Sequence, residues 1–208
     1  QVSTRYKDRE TSIAAISDLL AVMAAARPGH YLAFFPSYSY LQTVWQDFTA
    51  RYPDQPTLCQ ESAMDEDKRA DFLARFMAQD GKALLGFAVQ GGVFGEGVDM
   101  AGERLIGAAI IGPGLPQVGP RQEQLRDYFE QTRGSGFDYA YRYPGMNKVL
   151  QAAGRVIRTP QDKGVVLLID DRFLAPETRR LMPPHWEQLR AVDTAQALAA
   201  ELQHFWKK

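Results

Sequence analysis

The residues most able to do chemistry run from Gln151 to Arg158, Gln-Ala-Ala-Gly-Arg-Val-Ile-Arg. Arg155 and Arg158 are three apart, a spacing that puts them on one face of a helix. Each carries a permanently charged, planar fork whose geometry fits phosphate oxygens, so the pair suits a triphosphate. Gly154 removes a side chain where backbone could approach a neighbour or a ligand closely, and Gln151 lies one turn before Arg155. The same residue types also fit the solvated face of an ordinary helix. Spacing alone leaves both readings open.

Two further stretches have suitable residue types. In Gly91-Gly-Val-Phe-Gly-Glu-Gly-Val-Asp99 the bare glycines would let backbone amides approach a phosphate. Asp99 there could accept from a ribose hydroxyl or hold a neighbouring loop. Glycine-rich loops after strands are also ordinary tight turns. In Phe34-Phe-Pro-Ser-Tyr-Ser-Tyr-Leu41, Ser37 and Tyr38 supply a small hydroxyl and a flat ring, the parts needed to bond a backbone phosphate and stack beside a base. Helix capping and core packing use the same two residues.

The elements that must position these residues follow from apolar periodicity. Ile13, Ile16, Leu19, Leu20 and Met23 recur at helical spacing between Asp8 and Ala26, and Arg27-Pro-Gly29 supplies a stop. A buried strand is expected over 30–35, closed by Pro36, and a helix from Tyr38 to Tyr52. A short strand at 57–60 and a helix ending near Met77, with Phe72, Leu73 and Phe76 on one side, repeat the pattern. Apolar runs at 82–89, 105–111 and 164–170 read as strands, the last as a core strand. Helices are expected at 122–131 and 147–157, separated by Gly134-Ser-Gly136. Such alternation predicts a parallel sheet covered by helices, with ligands at the carboxyl ends of its strands, where Pro36, Ser37 and Tyr38 fall. Past Phe173 the chain turns through Pro176 and Pro183-Pro184, and a final helix from Thr194 to Trp206 packs on without extending the sheet.

With 208 residues, 45% hydrophobic and 24% charged, the chain has the composition of one globular domain. A net charge of -1 advertises no global basic field, although a local basic groove is compatible with it. Cys59 is the only cysteine, which excludes an internal disulfide and any four-cysteine zinc or iron-sulfur site within the segment. A reducing cytosol fits, and a cytoplasmic location is expected. No apolar run approaches the length of a membrane span, so no membrane partner is expected. Beginning at Gln1 rather than Met, the chain reads as part of a longer protein.

The octet Gln151 to Arg158 resembles motif VI of superfamily 2 helicases, and the continuation Asp162-Lys-Gly-Val-Val-Leu-Leu-Ile-Asp-Asp-Arg-Phe173 narrows the resemblance to the XPD/DinG type. Gly91 to Asp99 resembles that family's motif V, and Phe34 to Leu41 its motif IV region, all in the correct order. The resemblance covers nearly the whole chain. It implies an α/β fold, a RecA-like parallel sheet flanked by helices, with residues 1–208 as a single C-terminal motor domain and a packed helical tail from about 174. Arg155, Arg158 and Gln151 take catalytic roles under it, and Glu96, Gly97, Asp99 and Gly154 lie at the nucleotide. Ser37, Tyr38, Gly91 and Gly92 lie on single-stranded DNA.

An ATPase of this kind needs a Gly-rich loop with Lys and Ser/Thr, plus a metal-binding acidic box. Neither is in this sequence. ATP and Mg2+ are therefore expected in a site shared with an N-terminal motor domain of the same protein, and an iron-sulfur cluster, where relatives have one, would belong to that other half. The fragment alone is expected to be inactive. A rival reading is a non-catalytic nucleic-acid-binding or regulatory module with the same fold. A third, a nucleotide-binding α/β enzyme unrelated to helicases, requires three ordered matches to coincide.

Overall fold

The computed structural model describes residues 2–78, 81–92, 94, 105–157 and 162–207. Five parallel strands form one sheet: β1 (His30–Phe35), β2 (Thr57–Cys59), β3 (Leu84–Val89), β4 (Leu105–Ile111) and β5 (Val165–Ile169), in the order β2-β3-β1-β4-β5. Every residue of β1 and β4 is buried, as an all-apolar run in a parallel sheet requires when both faces are covered.

Side-chain alternation along β1 divides the core. Tyr31, Ala33 and Phe35 point to one face, where they meet Ile16, Leu20 and Met23 of α1 (Arg9–Ala25), Leu41, Val44 and Phe48 of α2 (Tyr38–Arg51), and Leu198 and Leu202 of the C-terminal helix. Leu32 and Phe34 point to the other. There they pack with Phe72 and Phe76 of α3 (Glu66–Met77), and with Met146, Val149 and Ala152 of α5 (Tyr143–Ala153). Glycine is required where rings cross the sheet: a Cβ on Gly107 would lie 2.5 Å from the Tyr31 ring.

Between β4 and α5, helix α4 (Pro120–Arg133) buries none of its own side chains. It ends on Gly134 in the left-handed region, φ 63°, and is held by the stacked rings of Phe129 and Tyr139, 4.2 Å between centroids. The Tyr139 ring belongs to a π-helical turn, Asp138–Arg142, that leads directly into α5. The helical segment around motif VI thus begins well before the expected Asn147. It also stops earlier than expected, at Ala153 rather than Ile157.

After β5 the chain makes 3-10 turns at Asp171–Leu174 and Pro184–Trp186 around the one-turn helix α6 (Pro176–Arg179). It finishes in α7 (Ala195–Lys207), which lies against α1. β5 is an edge strand, and Val165 to Leu168 are only half-buried, which corrects the core assignment drawn from its Val-Val-Leu-Leu-Ile composition. An all-apolar run has the same sequence signature at the edge of a sheet as at its centre. Neighbouring strands, not composition, decide which it is.

Candidate nucleotide and nucleic-acid interfaces

The carboxyl ends of the strands gather one group of expected residues. Ser37 is the N-cap of α2: its backbone is extended, its Oγ accepts from Tyr40 N at 3.4 Å and its carbonyl accepts from Leu41 N at 3.0 Å. Tyr38 Oη accepts from Gln60 Nε2 at 3.0 Å, and Gln60 Oε1 accepts from Val89 N at 2.8 Å. Beyond Val89 the chain turns through Gly91, at φ 69°, into Gly92. A Cβ on Gly92 would stand 3.5 Å from Gln60 Nε2. Ser37, Tyr38, Gly91 and Gly92 therefore share one rim.

Two residues that organise this rim were not expected from the sequence. Gln60, 4% exposed, connects the end of β2 with β3 and α2. Gln90, 6% exposed, donates its backbone N–H to Phe35 O, and its Nε2 donates to Phe34 O, Ile111 O and Gly112 O, joining the ends of β3, β1 and β4. A signal was present: each glutamine closes an apolar strand, a place where a buried polar side chain demands partners.

The described residues of the Gln151–Arg158 octet lead to the opposite end of the sheet. Near the start of α5, a Cβ on Gly145 would lie 2.5 Å from Pro113 O, just past the carboxyl end of β4. Just past its end, Val156 packs where a Cβ on Gly164 would meet it at 2.3 Å, with Ile106 O at 3.0 Å, near the amino ends of β5 and β4. The helix therefore runs antiparallel to the strands and delivers Gln151, Gly154 and Arg155 to the amino-end rim. Gln151 and Gly154 are exposed and Arg155 is half-buried. The structure keeps these residues apart from Ser37, Tyr38, Gly91 and Gly92.

The expectation that the helix carries Arg155 is corrected. α5 ends at Ala153, and Gly154, Arg155 and Val156 form a turn in which Arg155 N donates to Ala152 O at 3.2 Å and Val156 N to Ala153 O at 3.1 Å. Glycine is a poor helix former, and burial of Val156, 5% exposed, against the strand ends draws the chain off the helix axis. Gly154 itself has an ordinary φ of -64°. Arg158, Glu96, Gly97 and Asp99 lie outside the described residues.

At the carboxyl end of β5, Asp170 anchors the start of the chain. Its buried carboxylate accepts from Thr4 N (2.8 Å), Thr4 Oγ1 (2.5 Å), Arg172 N (2.9 Å), Arg172 Nε (2.6 Å) and Arg172 Nη2 (2.9 Å). Burial pushes its pKa up, but the hydrogen bonds from Arg172 and Thr4 and the charge of Arg172 outweigh it and hold the carboxyl at about 2. Alongside, Arg5 pairs with Asp171 at 2.6 Å.

A cleft of about 540 Å³ runs along β5 on the side away from β4, between the strand, residues 188–193 and α7. None of the expected site residues lines it. A smaller recess of about 320 Å³ opens beside Tyr38. Among the described residues no three His, Cys, Asp or Glu side chains converge as a metal site. No helix among them is long and apolar enough to cross a membrane.

The sheet order and the flanking helices define a RecA-like α/β domain. Residues 20–189 match the helicase C-terminal domain family, and the chain belongs to that family. It is 28% identical over 188 residues to the ATP-dependent DNA helicase chl-1 of Caenorhabditis elegans, covering 86% of this chain and 22% of that protein. To the regulator of telomere elongation helicase 1 of Bos taurus it is 30% identical over 203 residues, covering 88% of this chain and 17% of the relative. The chain thus spans about a fifth of the length of these relatives. Among solved structures, an apo XPD superposes with a TM-score of 0.70 at 19% identity, over 86% of this chain and 36% of that one. Xpd4 of S. tokodaii superposes at 0.62 and 16% identity, over 89% and 36%.

Proposed function

We propose that the chain, acting as one domain from end to end, is the second motor domain of an ATP-dependent DNA helicase. Its carboxyl-end rim contacts single-stranded DNA, its amino-end rim supplies Arg155 to an ATP site shared with an N-terminal motor domain, and Arg158 acts at that same ATP site. The observation that carries this reading is the placement of the motif VI turn and the Tyr38–Gly92 rim at opposite ends of one rigid sheet. A strand-binding surface and a nucleotide-facing surface are then separate and joined through the core, as a motor converting cleft closure into movement requires. Arginine at the amino end would stabilise charge on the transferring phosphoryl group. Phosphate cradling and magnesium binding fall to the other domain, since this chain lacks both motifs, and any iron-sulfur cluster would also lie there.

The test uses the longer protein that carries both motor domains. Arg155→Ala and Arg158→Ala should each lower DNA-stimulated ATP turnover by roughly 10³-fold or more, with melting temperature and DNA affinity held near wild type. Lysine should rescue poorly, because one ammonium does not reproduce a two-pronged contact. Near-wild-type turnover in both alanine variants ends the assignment.

A further inference from the structure

We propose that Gln60 is a positioning residue that sets Tyr38 against the glycine turn after β3 for contact with single-stranded DNA; this rests on the strand-binding reading of the carboxyl-end rim. β2 pairs with β3 only as far as Cys59 opposite Phe87. At Gln60 the backbone N still donates to Phe87 O at 2.9 Å, and the chain then leaves the sheet. The Gln60 side chain takes over where the strand stops: its Oε1 accepts the Val89 N–H, which would otherwise face the missing continuation of β2. That bond fixes the carboxamide plane. Its Nε2 is thereby aimed at the start of α2, where it meets Tyr38 Oη at 3.0 Å.

The consequence is a single unit made from three loops. Tyr38 is half-buried and its ring is tied at the hydroxyl end, so the rotamer freedom that an exposed tyrosine would lose on binding is lost on folding instead. A Cβ added to Gly92 would stand 3.5 Å from Nε2 of the same carboxamide, so the glycine turn passes beside the group that ties the ring. The recess beside Tyr38 is lined by Ser39, Gln42, Glu61 and Ser62. A hydroxyl- and amide-rich lining with one carboxylate suits a base edge better than a phosphate, which Glu61 would repel. Glu61 itself is held by Lys68 at 2.6 Å.

The experiment measures fluorescence anisotropy of labelled oligo(dT) against the 208-residue chain for wild type, Tyr38→Phe, Gln60→Met and the double variant. Each single change should weaken binding about two- to tenfold, the range for one net hydrogen bond, and the double variant should be no weaker than Gln60→Met alone. Tyr38→Phe removes only a hydroxyl from a half-exposed ring, so it reports even where Gln60→Met lowers the melting temperature. Additive losses, or wild-type affinity in both single variants, overturn the proposal. Binding that falls with Tyr38→Ala yet ignores Tyr38→Phe and Gln60→Met removes the role of Gln60 alone. A wild-type chain that binds no oligo(dT) removes the strand-binding reading and this inference with it.

Discussion

Replacing Asp170 by Ala should cost more stability than a typical single substitution in this chain. The side chain is fully buried, while that of its partner Arg172 is 25% exposed. Removal leaves Thr4 N, Thr4 Oγ1 and the inner face of the Arg172 guanidinium without their acceptor. Breaking a buried pair from one side costs about 3–5 kcal/mol. The acidity of the group gives an independent lower figure. Its pKa is lowered from 3.8 to about 2, which at about 1.4 kcal/mol per pH unit is on the order of 2 kcal/mol. Because the folded value is the lower one, this contribution is fully present above about pH 4 and is lost as pH falls toward 2.

Urea unfolding followed by tryptophan fluorescence at pH 7 should shift the midpoint down by at least about 0.7 M, given slopes of roughly 1–3 kcal/mol per molar. Between pH 4 and 2 the wild type should lose stability that Asp170→Asn no longer has to lose. A cost below about 1 kcal/mol for Asp170→Ala, or parallel pH profiles for the wild type and Asp170→Asn, would refute the account of this clasp.

Other outcomes follow from single contacts. Gly145→Ala would place a Cβ 2.5 Å from the Pro113 carbonyl, and as overpacking against backbone it should cost about 1–3 kcal/mol or more by the same unfolding assay. Cys59 should resist thiol reagents at pH 8, since burial pushes its pKa to about 12 despite a hydrogen bond from Gln42; labelling at the rate of a free thiol in the folded state contradicts this. The 208-residue chain alone should release phosphate from ATP no faster than buffer, with or without single-stranded DNA. Turnover that survives purification and vanishes on a substitution within the chain would end the half-site reading.

Much of the fold was legible from local pattern, because buried parallel strands are apolar throughout and their helices carry a one-sided stripe. His30 to Phe35 is bounded by Gly29 and Pro36, and the structure starts and stops β1 at those limits. The expected helix from Asp8 to Ala26 is observed as Arg9–Ala25. The grouping of Ser37 and Tyr38 with Gly91 and Gly92 also followed, since loops at the carboxyl ends of neighbouring parallel strands must meet. Tertiary structure alone decided where each strand stands in the sheet. Val165 to Ile169 has the composition of a central strand and lies at the edge, because the order β2-β3-β1-β4-β5 is set by crossovers between segments distant in sequence. The end of α5 was likewise invisible locally: Val156 leaves the helix to pack beside Gly164, whose other close neighbour is the Ile106 backbone, so the stop is set by the strand ends it meets. The same holds for Gln60 and Gln90, whose types were plain and whose partners, Tyr38 and Val89 for one and the ends of β1 and β4 for the other, exist only once the sheet has formed.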